Sequence, residues 1–423
     1  MRNDQLIYKI DWLVVLVYFT LVFSGWLNIY AADYDPDVNE GILSFSQSSG
    51  KQLIWIATSV VLITFIMLMD FRFYDSVFAY VLYGVLILAL LFVLLLGNEV
   101  AGSKSWIPIG QFKLQPSEFT KIAAALALAK FLSKSTRKSE DIKSQVIGFA
   151  FFLFPMVLII LQGDLGTAMV FGSLILVMFR EGMHPMILVI GLVVAVLFLS
   201  TLVLSQTILL ISIVVLSLLG IGLVAKTPSK IAVVVIAGVI SAGFVKSVDF
   251  ILTDVLKPHQ QQRVMQLLNP NRDPLGAGWQ VTQSKIAIGS GGLTGKGYLQ
   301  GTQTKFNFVP DQTTDNIFCT VGEEQGWIGS FLLLAAFTTL LLRLVYLAER
   351  QKSPFARIYG YAVVSILFFH FAFNIAMTIG LFPVIGIPLP FFSYGGSSLW
   401  TFTILLFIFL KLDAHRMQVL QRL

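Results

Sequence analysis

The sequence predicts an all-α polytopic membrane protein of about twelve transmembrane helices, and three observations carry that prediction. Of 423 residues, 56% are apolar and only 12% are charged, against roughly 25% charged in a soluble domain, and mean hydropathy is +0.82. Apolar runs close to the ~20 residues that cross roughly 30 Å of hydrocarbon recur along the chain. Lysine and arginine concentrate on alternate connections between those runs. The same composition excludes disordered, collagen-like, coiled-coil and disulfide-scaffold classes. Lys plus Arg number 29 against 23 Asp plus Glu, a formal charge of +6; in such a chain the excess reads as cytoplasmic anchoring, not nucleic-acid affinity. The single cysteine, Cys319, leaves no internal disulfide and no cysteine-based metal site.

The predicted spans are 11–31, 52–69, 75–97, 117–134, 146–162, 166–180, 187–204, 207–225, 230–248, 327–347, 356–380 and 397–412. The first is too long for a cleaved signal segment and reads as an uncleaved anchor. The fourth and sixth are short, and the 204–207 junction is tight. With the N-terminus inside, the inner connections carry Arg72; Lys134, Arg137, Lys138 and Lys143; Arg180; Lys226 and Lys230; and Arg343, Arg350, Lys352 and Arg357. The tail, with Lys411, Arg416 and Arg422, falls inside as well, while the acidic stretch Asp33, Asp35, Asp37 and Glu40 falls outside. Both termini are therefore expected in the cytoplasm. Residues 1–423 read as one integral membrane domain, in which 249–326 forms a single large extracytoplasmic loop. That loop is too long for an ordinary connection and too varied for a linker, which marks it as functional. Shorter outer segments at 98–116 and 383–396 complete the face, and no tandem repeat or inverted half is visible.

Several constellations could carry chemistry. Asp315 precedes an apolar helix start at Asn316-Ile317-Phe318; it is either a reactive carboxylate or the N-cap of the tenth span. The run 289–297 (GSGGLTGKG) fails the Walker pattern at two positions, yet a glycine turn with a lysine can hold pyrophosphate through backbone N–H groups; a plain structural turn is the alternative. Glu118 and Lys121 stand three apart at the head of the fourth span, with Ser117 as its expected N-cap, and read as a functional pair or an intrahelical ion pair. Asp164 either caps the sixth span or serves a site. The histidines, His184, His259, His370 and His415, form no ligand cluster, and His370 reads as a packed helix residue.

Residues 102–121 (GSKSWIPIGQFKLQPSEFTK), 162–167 (QGDLGT), 269–326 and 386–398 (GIPLPFFSYGGSS), in this order, resemble the SEDS family (shape, elongation, division and sporulation) over nearly the whole chain. GTQ at 301–303 and the DPLGAGWQ stretch favour the elongation branch over the division branch. The chain departs from the family's pattern at Gly163, Asp311 and Thr313, while Asp315 stands at the family's aspartate. Family members usually have two fewer spans, so a two-helix insertion is expected within 187–248.

The resemblance implies a peptidoglycan glycosyltransferase of the bacterial cytoplasmic membrane that polymerises lipid II, an undecaprenyl-pyrophosphate-linked disaccharide peptide. Asp315 is then the general base for the attacking sugar hydroxyl, a role worth about 10²–10⁴-fold in rate. Lys296, Arg263, Lys113 and Lys121 are the cations implied for the leaving pyrophosphate. Trp106 and Trp279 would pack on sugars or anchor at the interface. Glu118 and Asp164 would organise the cavity, and Gln303 and Ser393 complete the substrate-binding set. No cofactor or metal ligand set is implied, and a divalent cation is left open. The implied partners are a class B penicillin-binding transpeptidase and other elongation-complex membrane proteins, with no nucleic acid. Two rivals remain: a lipid II flippase, which needs alternating access and midplane sites, and a non-catalytic scaffold for wall synthesis, which would leave Asp315 dispensable.

Overall fold

The computed structural model describes residues 9–34, 44–100, 103–110, 112–134, 142–224, 227–250, 279–306 and 308–417. Arg263, most of the acidic stretch 33–40, and the basic residues Arg137, Lys138, Lys226 and Arg422 lie outside the described residues. Two compact units result, one of residues 1–183 with 283–423 and one of residues 184–282.

The first unit begins with α1 (Trp12–Asp33), started by Asp11, whose carboxylate accepts the Val14 N–H at 3.3 Å. There follow α2 (Ser48–Leu68), the short α3 (Phe71–Tyr74) and α4 (Phe78–Leu96). The outer segment that comes next pairs into a small antiparallel sheet, β1 (Asn98–Val100), β2 (Ser103–Ile109) and β3 (Phe112–Leu114), with Ile107 opposite Leu114. Helix α5 (Pro116–Leu132) is 17 residues long, and its run Ala123–Ala129 is wholly buried. Small side chains let it pack against α4, α6 (Ile142–Leu161) and two later helices at once. Its N-cap is Gln115 with proline at the first turn; Ser117, expected as the cap, lies inside the helix with its hydroxyl buried.

The sixth predicted span is not one helix. It breaks into α7 (Leu165–Gly172) and α8 (Ile175–Arg180), because the Ser173 and Leu174 N–H groups bond three residues back, to Val170 and Phe171, at 3.0 and 3.1 Å.

The second unit holds α9 (Pro185–Val203), α10 (Gln206–Val224) and α11 (Pro228–Phe250), joined around Leu209, Ile213 and Val245. Its other faces are apolar and exposed, as at Leu216 and Leu223, as expected of lipid-facing surface.

Helix α12 (Trp279–Ser290) enters the first unit from Gln283 onward. The tenth predicted span, 327–347, is the single helix α14 (Gly326–Glu349), and a separate, buried eight-residue α13 (Ile317–Glu324) precedes it. After α15 (Pro354–Thr378) and a loop, α16 (Gly396–Ala414) runs through the centre, against α2, α5 and α15. Among the described residues nine helices are long and apolar enough to cross a membrane.

Candidate active site

Asp315 lies half-buried in the turn 310–316 that leads into α13. The turn closes on Asp311 (φ +50°), whose carbonyl accepts the N–H groups of Thr314 and Asn316 at 3.1 Å each. Three successive carbonyls of the turn are then taken by donors from the C-terminal quarter of the chain. Tyr394 N–H donates to Thr313 O at 2.9 Å. Ser393 Oγ donates to Thr314 O at 2.6 Å, and the amide Nδ2 of Asn374 donates to Asp315 O at 2.7 Å. The same Asn374 nitrogen donates to Ile387 O at 2.8 Å. Beside the carboxylate, Gly386 adopts φ +72°, and a Cβ there would stand 3.3 Å from Asp315 Oδ2. Asp315 is not a helix cap: Asn316 holds that position, and α13 separates both from the tenth span.

Beneath this turn the other motifs converge. Gly166, at the start of α7, lets the 385–386 backbone come so near that a Cβ would fall 2.2 Å from Ile385 O. Asp164 caps α7 through the Thr167 N–H at 3.0 Å and accepts Gln115 Nε2 at 2.8 Å. The Gln115 N–H in turn reaches Ser397 Oγ at 3.3 Å. Glu118 and Lys121 form the intrahelical ion pair, 2.7 Å, both all but fully buried. Lys121 Nζ also meets His370 Nε2 at 2.9 Å, and the other ring nitrogen of His370 lies 3.2 Å from Pro388 O. His370 is thus more than a packed helix residue: it links the buried pair to the loop that flanks Asp315.

The far end of α13 is organised around a different carboxylate. Glu323, wholly buried, accepts the N–H groups of Thr302, Gln303 and Thr304 at 2.8, 2.9 and 3.0 Å. It also takes the Thr304 hydroxyl at 2.9 Å and Lys296 Nζ at 2.6 Å. Burial alone would raise its pKa, but these donors together hold it down to about 2. Its neighbour Glu324 accepts two N–H groups, from Leu299 and Gly301, and there burial prevails and raises the pKa. The glycine run 289–297 serves this region. Its N–H groups at Gly295, Lys296 and Gly297 donate to Gly291 O, Glu323 O and Glu324 O, so they are not presented to a phosphate. A Cβ on Gly295 (φ +81°) would fall 2.1 Å from Glu324 O. The run is a structural turn that brings one backbone against another.

The predicted site residues therefore separate. Asp315 lies in the turn and Ser393 donates to it from the loop before α16, while Asp164, Glu118 and Lys121 lie in the layer that supports it. Lys296 and Gln303 belong to the Glu323 cluster. Trp106 is half-buried on β2 and Lys113 is exposed on β3. Sequence reasoning passed over Gln115 and, above all, Asn374. An asparagine fully buried in an apolar span, one turn after His370, was the available signal.

The sequence profile of the cell cycle protein family FtsW/RodA/SpoVE matches residues 11–211 and 180–418. The peptidoglycan glycosyltransferase RodA of Treponema pallidum is 34% identical over 96% of this chain and 98% of its own. The peptidoglycan glycosyltransferase MrdB of Escherichia coli is 34% identical over 79% of this chain and 77% of its own. Among solved structures, a chain from a peptidoglycan synthase complex that coordinates polymerization and crosslinking superimposes with TM-score 0.71 at 28% identity, covering 97% of this chain and 99% of that one. The rod shape-determining protein RodA of Thermus thermophilus shares the fold at TM-score 0.62, covering 96% and 97% of the two chains at 23% identity. With its apolar helices, this places the chain in the bacterial inner membrane as a multi-pass protein. Profile, relatives and fold agree: the chain belongs to the FtsW/RodA/SpoVE cell cycle protein family.

Proposed function

We propose that this chain polymerises lipid II into β-1,4-linked glycan during cell elongation, with Asp315 as the general base. Relatives 34% identical across most of the chain are named peptidoglycan glycosyltransferases, and glycosyl transfer is the activity of this chain. In the proposed step the 4-hydroxyl of one sugar attacks the anomeric carbon of the other. The new C–O bond forms as the bond to pyrophosphate breaks, and the polyprenyl pyrophosphate leaves with the electron pair. The hydroxyl proton passes to the Asp315 carboxylate, since a neutral hydroxyl is a poor nucleophile. One displacement inverts the α-linked donor to a β product, by analogy with the carboxylate logic of glycosidases.

The observation that carries this reading is the site of Asp315 itself. A half-exposed carboxylate stands in a turn whose main chain is fixed by three donors, two from the C-terminal motif and one, Asn374, from α15. Lys113 and Arg263 are the cations we assign to the leaving pyrophosphate. One structural relative belongs to a complex that couples polymerization to crosslinking, and we extend that to a class B penicillin-binding transpeptidase partner here.

The test reconstitutes purified wild type and Asp315→Asn with lipid II, with and without that transpeptidase. The Asn variant is expected to fold normally and to polymerise about 10²–10⁴-fold more slowly. Polymer at the wild-type rate would remove Asp315 from the base role. Leaflet exchange without polymer from the wild type would make the chain a flippase.

A further inference from the structure

We propose that Asn374 is a positioning residue for glycosyl transfer, setting where the Asp315 carboxylate stands. The inference rests on the reading of Asp315 as the base. Asn374 lies in α15 with no exposed surface, on a helix whose buried face is largely apolar and whose other buried polar side chains include Ser365, His370 and Thr378. A buried amide is costly unless its donors are used. Here the amide nitrogen bonds two carbonyls, Asp315 O at 2.7 Å and Ile387 O at 2.8 Å. Both partners are obligate acceptors, so the orientation of the amide follows from chemistry.

The two carbonyls belong to segments about 70 residues apart in the chain, both adjacent to the reactive group. One is the main chain of Asp315 itself. The other adjoins Gly386, where an added Cβ would stand 3.3 Å from Asp315 Oδ2. A single side chain thus fixes both the root of the carboxylate and the wall beside it. His370, one turn earlier, steadies the same loop at Pro388 but has no bond to the Asp315 turn. Asn374 therefore does what the rest of α15 does not: it ties the loop to the base.

The experiment compares wild type with Asn374→Ala, measuring initial rates of lipid II polymerisation across pH. We expect kcat to fall about 10²-fold, the loss that a displacement near 1 Å brings, with KM within about threefold of wild type. The acid limb of the kcat–pH profile, which reports the base, should move, since the carboxylate changes its surroundings. In an Asp315→Asn background the substitution should cost nothing more, because no base remains to be placed. An Asn374→Ala enzyme with wild-type kcat and an unmoved acid limb overturns the proposal. So does the same fold-loss added on top of Asp315→Asn, which would mark general damage to the fold. Should Asn374→Ala fail to give monodisperse protein, Ser393→Ala removes the donor to the adjacent carbonyl of Thr314; a fall in kcat with a shifted limb supports the proposal, and an unshifted limb overturns it. If Asp315→Asn itself runs at the wild-type rate, the base assignment fails, an outcome distinct from any result at Asn374.

Discussion

The two ends of α13 present carboxylates in opposite ways. At its C-terminal end Glu323 is wholly buried, and its oxygens accept three backbone N–H groups, hydroxyls and the Lys296 ammonium. At the N-terminal end the donors instead grip the main chain around Asp315, at the carbonyls of 313, 314 and 315, and the side chain stays half-exposed. One carboxylate organises the protein around itself; the other is itself organised. The difference separates an acid that holds a loop together from an acid held in place to react. Both precede or end the same eight-residue helix, so neither sequence position nor residue type distinguishes them.

The largest effects should divide along that line. Asp315→Asn is expected to cost roughly 3–5 kcal/mol of transition-state stabilisation with little change in thermal stability. Glu323→Gln should do the reverse, lowering stability by about 3 kcal/mol with whatever activity remains tracking the folded fraction. The pH dependence gives the sign independently. A pKa held down to about 2, from 4.5, means Glu323 stabilises the fold fully above its unfolded value and loses that contribution as pH falls toward 2. The stability gap between wild type and Glu323→Gln, read by thermal unfolding, should therefore be constant at neutral pH and close between about pH 4.5 and 2. A gap that persists at the acid end would show that the charge is not what holds the loop.

Two glycines sharpen the comparison at smaller cost. Gly295→Ala drives a Cβ to 2.1 Å from the Glu324 carbonyl, where only backbone could yield, and should destabilise by about 3 kcal/mol. Gly386→Ala meets only the Asp315 carboxylate, at 3.3 Å, in a left-handed conformation worth about 1–2 kcal/mol. Its main consequence should be a fall in kcat of about tenfold, measured on protein shown to be folded. Equal losses of stability at the two positions would erase the distinction.

Much of this was legible before the fold. Runs of some twenty apolar residues announce membrane helices because the bilayer leaves a single apolar run no other solution, and the positions that resemble a family do meet in space: Gln115 with Asp164 and Ser397, Gly166 with Gly386, Gly386 with Asp315. What failed had physical causes. Glycine spacing looks the same whether a backbone must approach a phosphate or another backbone, and the 289–297 run does the second, against Gly322 and Glu324. An eight-residue helix such as α13 shows too few turns for its period to stand out beside the span that follows. The strands at 98–114 are three to seven residues long and, among the described residues, form a sheet of three strands. The sequence marks Asn374 as a polar residue inside an apolar span but does not say what it serves, because its two partners are set by loop packing and not by its own neighbourhood in sequence.

The smallest effect concerns Lys296, and it decides to which end of the helix that cation belongs. Its ammonium sits 2.6 Å from Glu323 and 2.7 Å from the Thr302 hydroxyl, with its side chain 26% exposed. A partly solvated ion pair contributes at most about 1 kcal/mol, and Glu323 keeps its backbone donors without it. Lys296→Met should accordingly lower the thermal midpoint by only about 1–2 °C and leave KM for lipid II within about twofold. The alternative, in which Lys296 swings away to meet the pyrophosphate, requires it to abandon a carboxylate held near pKa 2, which stays charged at every working pH. A tenfold or greater change in kcat/KM, with stability unaltered, would return Lys296 to the substrate and place the Glu323 cluster within reach of the chemistry.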